Sequence, residues 1–164
     1  MTIRPIRLLG DPVLRTPAET VTSFDAALRA LVQDLLDTLT GEPGRAGVAA
    51  PQIGVGARVF SYGANGTVGY LVNPVIVARS GEQAGDEGCL SIPGLAFPTP
   101  RAAQVTAEGV DEHGEPVTVT GTGLLARALQ HETDHLDGVL YVDTLRGDAR
   151  RQALRAVRAT FARP

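Results

Sequence analysis

From residue 24 to residue 39 the apolar positions recur every three or four residues: Leu28, Leu31, Val32, Leu35, Leu36 and Leu39. That spacing gathers them into one stripe and predicts an amphipathic helix, opened by the Ser23 hydroxyl as N-cap and closed by Gly41 and Pro43. The stretch before it reads as extended and turn-rich, with a turn at Gly10-Asp11-Pro12. After it, as far as about residue 119, short stretches rich in β-branched residues take over. Residues 58–61, 69–72 and 75–78 predict short strands, and Gln104–Val110 with 116–120 predicts a hairpin closed by Asp111-Glu112-His113-Gly114. Helical spacing returns over Gly123–Leu136, carried by Leu124, Leu125, Ala128, Leu129 and Leu136, with Thr122 as cap. A short strand at 139–142 is expected next. From Asp148 a basic amphipathic helix follows, with Leu154, Val157 and Phe161 on one side. Strands in the middle and helices at both ends predict an α+β fold. In it, short antiparallel strands pack around the helix of the C-terminal half, flanked by an N-terminal amphipathic helix and a C-terminal helix.

Composition narrows the classes. A chain of 164 residues, 43% hydrophobic and 20% charged, fits a single globular domain over residues 1–164. No apolar run approaches the roughly 18–20 residues of a membrane helix. The first residues lack the basic, apolar and small-residue segments of a secretory signal, so a cytoplasmic chain is expected. A net charge of −3 supplies no general attraction to DNA or to a membrane surface. Every one of the 15 basic residues is arginine, and the single cysteine, Cys89, excludes an intramolecular disulfide.

The chemistry concentrates in His131-Glu132-Thr133-Asp134-His135. Residues i and i+4 of a helix share a face, so two imidazoles project together at a spacing suited to one metal ion. Glu132 lies about 100° round from His131, where it can take a proton from a water without ligating the metal. The plain alternative is a solvated helix face, or core histidines with satisfied hydrogen bonds. A catalytic metal of this kind needs a third protein ligand. The longer pattern HExxHxxGxxH would supply a histidine, but Gly138 is followed by Tyr141 at its last position, and no glutamate occurs after Glu132. The third ligand is therefore expected upstream, where Cys89 and His113 remain. His113 falls in a polar hairpin turn, where exposure is the ordinary state. Cys89 sits in Asp86-Glu87-Gly88-Cys89-Leu90-Ser91-Ile92-Pro93-Gly94, whose glycines allow close backbone approach. The unfilled position favours Cys89 over an inert buried thiol. One Cys with two His suits zinc, ferrous iron, cobalt or nickel, not magnesium or calcium.

Three segments together resemble the peptide deformylases. Gly47-Val48-Ala49-Ala50-Pro51-Gln52-Ile53-Gly54 is similar to that family's GxGxAAxQ stretch, Glu87-Gly88-Cys89-Leu90-Ser91 is identical to EGCLS, and the segment 130–138 fits QHExDHLxG. Their order and spacing match, and the resemblance extends over nearly the whole chain. It implies Cys89, His131 and His135 as ligands of one divalent metal, commonly Fe2+, with Zn2+, Ni2+ or Co2+ able to take its place. It implies Glu132 as acid and base, and Gln52 with the Leu90 amide as donors to a developing oxyanion. Backbone at Ala46, Gly47 and Gly88 would hold an N-formylmethionyl peptide or nascent chain in an extended pose. Such substrates also raise a ribosome contact through the tail arginines Arg150, Arg151, Arg155, Arg158 and Arg163, against the plainer reading of a solvated face. Arg101 would order the loop after Cys89 or stand on the surface.

Two departures bear on the substrate. Arg45 stands where the family usually has glycine, with Gly44 beside it, and Arg127 stands one helical turn before His131, where many relatives carry an aliphatic residue. They keep open a related enzyme acting on another formylated amine. A non-catalytic metal-binding relative and a general metalloprotease are the remaining alternatives; intact Glu132 and the missing downstream ligand weigh against them.

Overall fold

Asp25, not Ser23, opens the first helix. The computed structural model describes residues 1–161, so Arg163 lies outside the described residues. In it the Asp25 carboxylate accepts the Leu28 amide at 3.0 Å and α1 runs Ala26–Thr40, two residues later than its apolar spacing predicts. Leu28, Val32, Leu35 and Leu39 are buried as a stripe, with Leu31 and Leu36 half-buried on its flanks.

Among the described residues seven strands follow the helix. β1 (Gly47–Ala49), β2 (Val59–Ala64), β3 (Thr67–Ser80), β6 (Gln104–Val110) and β7 (Pro116–Thr122) form an antiparallel sheet in the order β1-β2-β3-β6-β7. β4 (Asp86–Cys89) and β5 (Ile92–Pro98) form a separate two-stranded ribbon. The expected hairpin is the β6–β7 pair, but residues 69–72 and 75–78 are not two strands. They belong to one 14-residue strand, bulged between Val72 and Val75. Asn73 absorbs the irregularity at φ 51°, and its amide side chain takes the place of a strand partner. It accepts from the Val21 N–H at 2.8 Å and donates to the Val21 carbonyl at 2.9 Å.

Side-chain alternation lets β2 serve two cores. Phe60, Tyr62 and Ala64 face α2 (Gly123–Leu136), where they meet Leu125, Ala126, Leu129 and Leu136. Val59 faces the other way and packs with Val48, Val72 and the α1 stripe, and the Ser61 hydroxyl donates to the Leu35 carbonyl at 3.0 Å. The sheet therefore lies between α1 and α2. Thr122 holds the N-cap position of α2, but its hydroxyl makes no capping bond.

The expected strand at 139–142 is absent. The chain turns at Leu140 into a short 3-10 helix, Tyr141–Thr144, and the Asp143 carboxylate accepts the N–H of the capping Leu140 at 2.8 Å. The apolar run fills a third core against Ile92, Ala153 and Val157, under α3 (Gly147–Phe161), instead of extending a sheet. No helix among the described residues is long and apolar enough to cross a membrane.

Candidate metal centre

Helix α2 delivers His131 and His135 on one face, and the β4–β5 ribbon delivers Cys89 opposite them. The Nε2 atoms of the two histidines lie 3.2 Å apart, and Cys89 Sγ lies 3.3 Å from His135 Nε2. All three ligand atoms fall within 4.8 Å of one another. Two nitrogens about 2.0–2.1 Å from a tetrahedral metal stand roughly 3.3 Å apart, so the triad has the span such an ion needs. Electrostatics agree. Burial and the neighbouring His131 hold His135 well below the usual imidazole value, leaving a neutral ring with a free lone pair. Burial alone would depress His131 as well, but Glu132, Cys89 and Glu87 outweigh it and hold the ring well above the usual value. These groups call for positive charge at this point, which a divalent cation supplies. The residues fit the metal. His113, the other upstream candidate, is 65% exposed in the β6–β7 turn and takes no part.

Glu87 organises the centre, a role its place beside Gly88 and Cys89 did not reveal. Its Oε2 accepts from His131 Nδ1 at 2.7 Å, which turns Nε2 of that ring toward the ligand cluster. The same carboxylate accepts from Arg101 Nε at 2.9 Å, Arg101 Nη2 at 2.6 Å and Arg127 Nη1 at 2.8 Å. Burial would raise it, but the hydrogen bonds of Arg101 and His131 overcome that and hold Glu87 at about 2. Arg101 is thus buried, and its Nη1 also reaches Asp134 at 2.7 Å on the flank of α2. The signal available in sequence was indirect: a metal-bound histidine needs an acceptor for its second nitrogen.

Glu132 stands beside the triad, with Oε2 4.0 Å from His131 Nε2 and Oε1 buried without a hydrogen-bond partner. Burial, opposed by His131 and assisted by Glu87, raises it to about 7, so it can gain and lose a proton near neutrality. Gly47 is a steric requirement of that placement. A Cβ there would come within 2.5 Å of Glu132 Oε2.

The remaining site residues edge a cleft of about 500 Å³. Ala46, Gly47, Gly88, Cys89 and Leu90 line it together with Gln52, His131 and Glu132. Gln52 is buried; its Oε1 accepts the Ala49 N–H at 3.0 Å, which turns Nε2 toward Ser91 Oγ (3.2 Å) and Cys89 Sγ (3.7 Å). Arg127 lines the cleft but sends its charge inward, since Nη1 bonds Glu87 and the Thr99 carbonyl at 2.9 Å. Gly44 takes the positive φ, 84°, that the loop before Gly47 requires, so Arg45 adopts no such strain.

A family model described as polypeptide deformylase matches residues 3–151. A peptide deformylase of Acidothermus cellulolyticus is 58% identical over 158 residues, 96% of this chain and 87% of that one. The crystal structure of peptide deformylase from Thermus thermophilus superposes with a TM-score of 0.89 at 43% identity, over 96% of this chain and 94% of that one. A peptide deformylase structure from Legionella pneumophila gives 0.86 at 41% identity, over 99% and 100%.

Proposed function

The chain belongs to the polypeptide deformylase family and removes the formyl group from N-formylmethionyl peptides as formate; from that premise we propose how its own residues divide the work. The observation that carries the proposal is the convergence of Cys89 Sγ, His131 Nε2 and His135 Nε2 beside a carboxylate poised at about 7. These three atoms would hold one divalent ion per chain, and the thiolate with two imidazoles suits ferrous iron, with zinc, nickel or cobalt able to substitute. When bound, the ion acidifies water and draws electron density from the formyl oxygen.

Glu132 takes a proton from the attacking water, whose oxygen adds to the formyl carbon. The Gln52 Nε2–H and the Leu90 N–H donate to the oxyanion that develops as the carbonyl bond opens, a charge present mainly in the transition state. Glu132 then returns its proton to the departing nitrogen. The C–N bond breaks, and formate and a free amine result. Backbone at Ala46, Gly47 and Gly88 holds the peptide extended in the cleft, so that its formyl end reaches the triad.

We read residues 1–164 as one catalytic domain. A thiolate beside ferrous iron favours a reducing compartment, so we place the enzyme in the cytoplasm. Arg151, Arg155 and Arg158 are exposed on α3, and nascent chains are the substrate class; a weak ribosome contact through that face follows. Deleting α3 should then weaken salt-sensitive ribosome binding. The main test is formate release from formyl-Met-Ala by protein loaded anaerobically with ferrous iron, beside formylated small metabolites. Turnover of the peptide supports the assignment; turnover of the metabolites alone moves it to another formylated amine.

A further inference from the structure

We propose that Arg45 is a positioning residue that fastens the peptide-binding edge Ala46–Gly47 to the C-terminal end of α1. The proposal rests on the reading of that edge as the one the substrate peptide pairs with. Helix C-termini leave their last carbonyls without intrahelical partners. Arg45 Nη1 donates to one of them, Thr38 O, at 2.6 Å, and Nη2 donates to Glu42 Oε2 at 3.0 Å. Its side chain is 11% exposed, whereas that of Glu42 is 60% exposed, so the bond to the helix is the sheltered one. A guanidinium at this end also meets the negative pole of the helix dipole.

Three further observations say why the clamp matters. The segment it precedes is tied to the sheet on one edge, through the Gly63 N–H to the Ala46 carbonyl at 2.8 Å and the pairing of Gly47 with Tyr62. Arg45 itself lines the cleft with Ala46 and Gly47. Gly44, immediately before it, sits at φ 84°, and a Cβ there would meet nothing within 4 Å, so no side chain of its own packs this turn against the helix. Without the clamp, the edge that receives the peptide would keep its pairing with β2 and lose its tie to α1. An ordered edge favours binding of extended peptide and leaves the chemistry at Glu132 untouched.

The test compares formyl-Met, formyl-Met-Ala and formyl-Met-Ala-Ser with the metal-loaded natural chain and with Arg45→Ala, Arg45→Lys and Glu42→Ala. Arg45→Ala should raise KM, by about tenfold for the tripeptide, with kcat within about twofold and a smaller KM rise as the substrate shortens. Arg45→Lys keeps a donor within reach of Thr38 O and should recover part of the loss, and Glu42→Ala should stay close to the natural chain. Amide hydrogen exchange at Ala46 and Gly47 should quicken in Arg45→Ala. A KM independent of peptide length, or a kcat that falls equally on every substrate, would overturn the role. An Arg45→Ala protein that failed to fold would leave the length dependence of Arg45→Lys to decide. A natural chain inactive on all three substrates would sink the deformylase reading itself, a separate failure.

Discussion

Replacing Glu87 with glutamine keeps the side chain's shape and removes the charge that Arg101, Arg127 and His131 converge on. Glu87 is 4% exposed, and the Arg101 and Arg127 side chains that flank it are 7% and 9% exposed, so water cannot take over as counter-charge. Breaking a buried pair from one side costs about 3–5 kcal/mol. An independent route gives the same size: holding the carboxyl at about 2 instead of 4.5 corresponds to about 3 kcal/mol of folded-state preference for the ionised form. Because the folded value is depressed, that contribution is complete above pH 4.5 and is lost as pH falls toward 2. Urea unfolding of metal-free protein should therefore show Glu87→Gln weaker by about 3 kcal/mol at neutral pH, with the gap closing across that acid window. The loss should also reach the metal, because a neutral amide accepts from His131 Nδ1–H more weakly than the carboxylate and has only one acceptor oxygen to share with the arginines, and affinity should fall by about 10–100-fold in a chelator competition. A variant as stable as the natural chain at neutral pH, or one whose deficit persisted unchanged at pH 2, would refute the role given to this carboxylate.

Glu132→Gln should retain one equivalent of metal and release no formate; activity within about tenfold of the natural chain would move the base elsewhere. Burial sets Glu132 at about 7 and a bound cation can only lower it, so kcat/KM should decline with acidification at or below neutrality; a decline centred well above neutrality would contradict this. Gly47→Ala should cost about a hundredfold or more in kcat with metal content unchanged, since its methyl would displace the carboxylate; full activity would show that Glu132 can move aside. Cys89→Ala should abolish tight metal binding while His113→Asn changes neither metal content nor turnover, the first read by elemental analysis of purified protein and the second by formate release.

The parts legible in the sequence are those in which spacing alone decides geometry. Four residues of helix bring His131 and His135 together whatever surrounds them, and the stripe from Leu28 to Leu39 must face a core. The β6–β7 hairpin was equally plain, because its turn residues lie between two alternating runs. Where two groups compete for one role, sequence does worse. Ser23 and Asp25 both suit an N-cap, and Asn73-Pro74 reads as a break until the Val21 backbone is there to pair with the asparagine side chain. The run at 139–142 has strand-like residues, yet the Asp143 carboxylate and the α3 core draw it into a turn.

Arg127 shows why the rest stayed hidden. In sequence it is a charge in place of an aliphatic residue, which leaves open a less apolar pocket or a side chain that points away. Its charge does point away from the cleft, and inward. Its stem covers the cleft wall as an aliphatic chain would, while the guanidinium crosses to a carboxylate 40 residues earlier and a carbonyl 28 residues earlier. Arg101 makes the corresponding reach to Glu87 and Asp134, 14 and 33 positions away. No local pattern encodes such pairings, because they depend on where the β4–β5 ribbon lies against α2. Their consequence is nonetheless chemical. Arg101 and His131 keep Glu87 ionised, Arg127 adds a further hydrogen bond to it, Glu87 orients His131, and an ion held by His131 with Cys89 and His135 would lie beside Glu132. A substitution that left all three ligands in place but uncoupled Arg127 from Glu87 should therefore weaken metal retention before it changes the cleft wall that Arg127 lines. Arg127→Met, which keeps the stem, separates the two effects: faster metal loss with unchanged KM for formyl-Met-Ala supports this order, and a raised KM with normal metal retention reverses it.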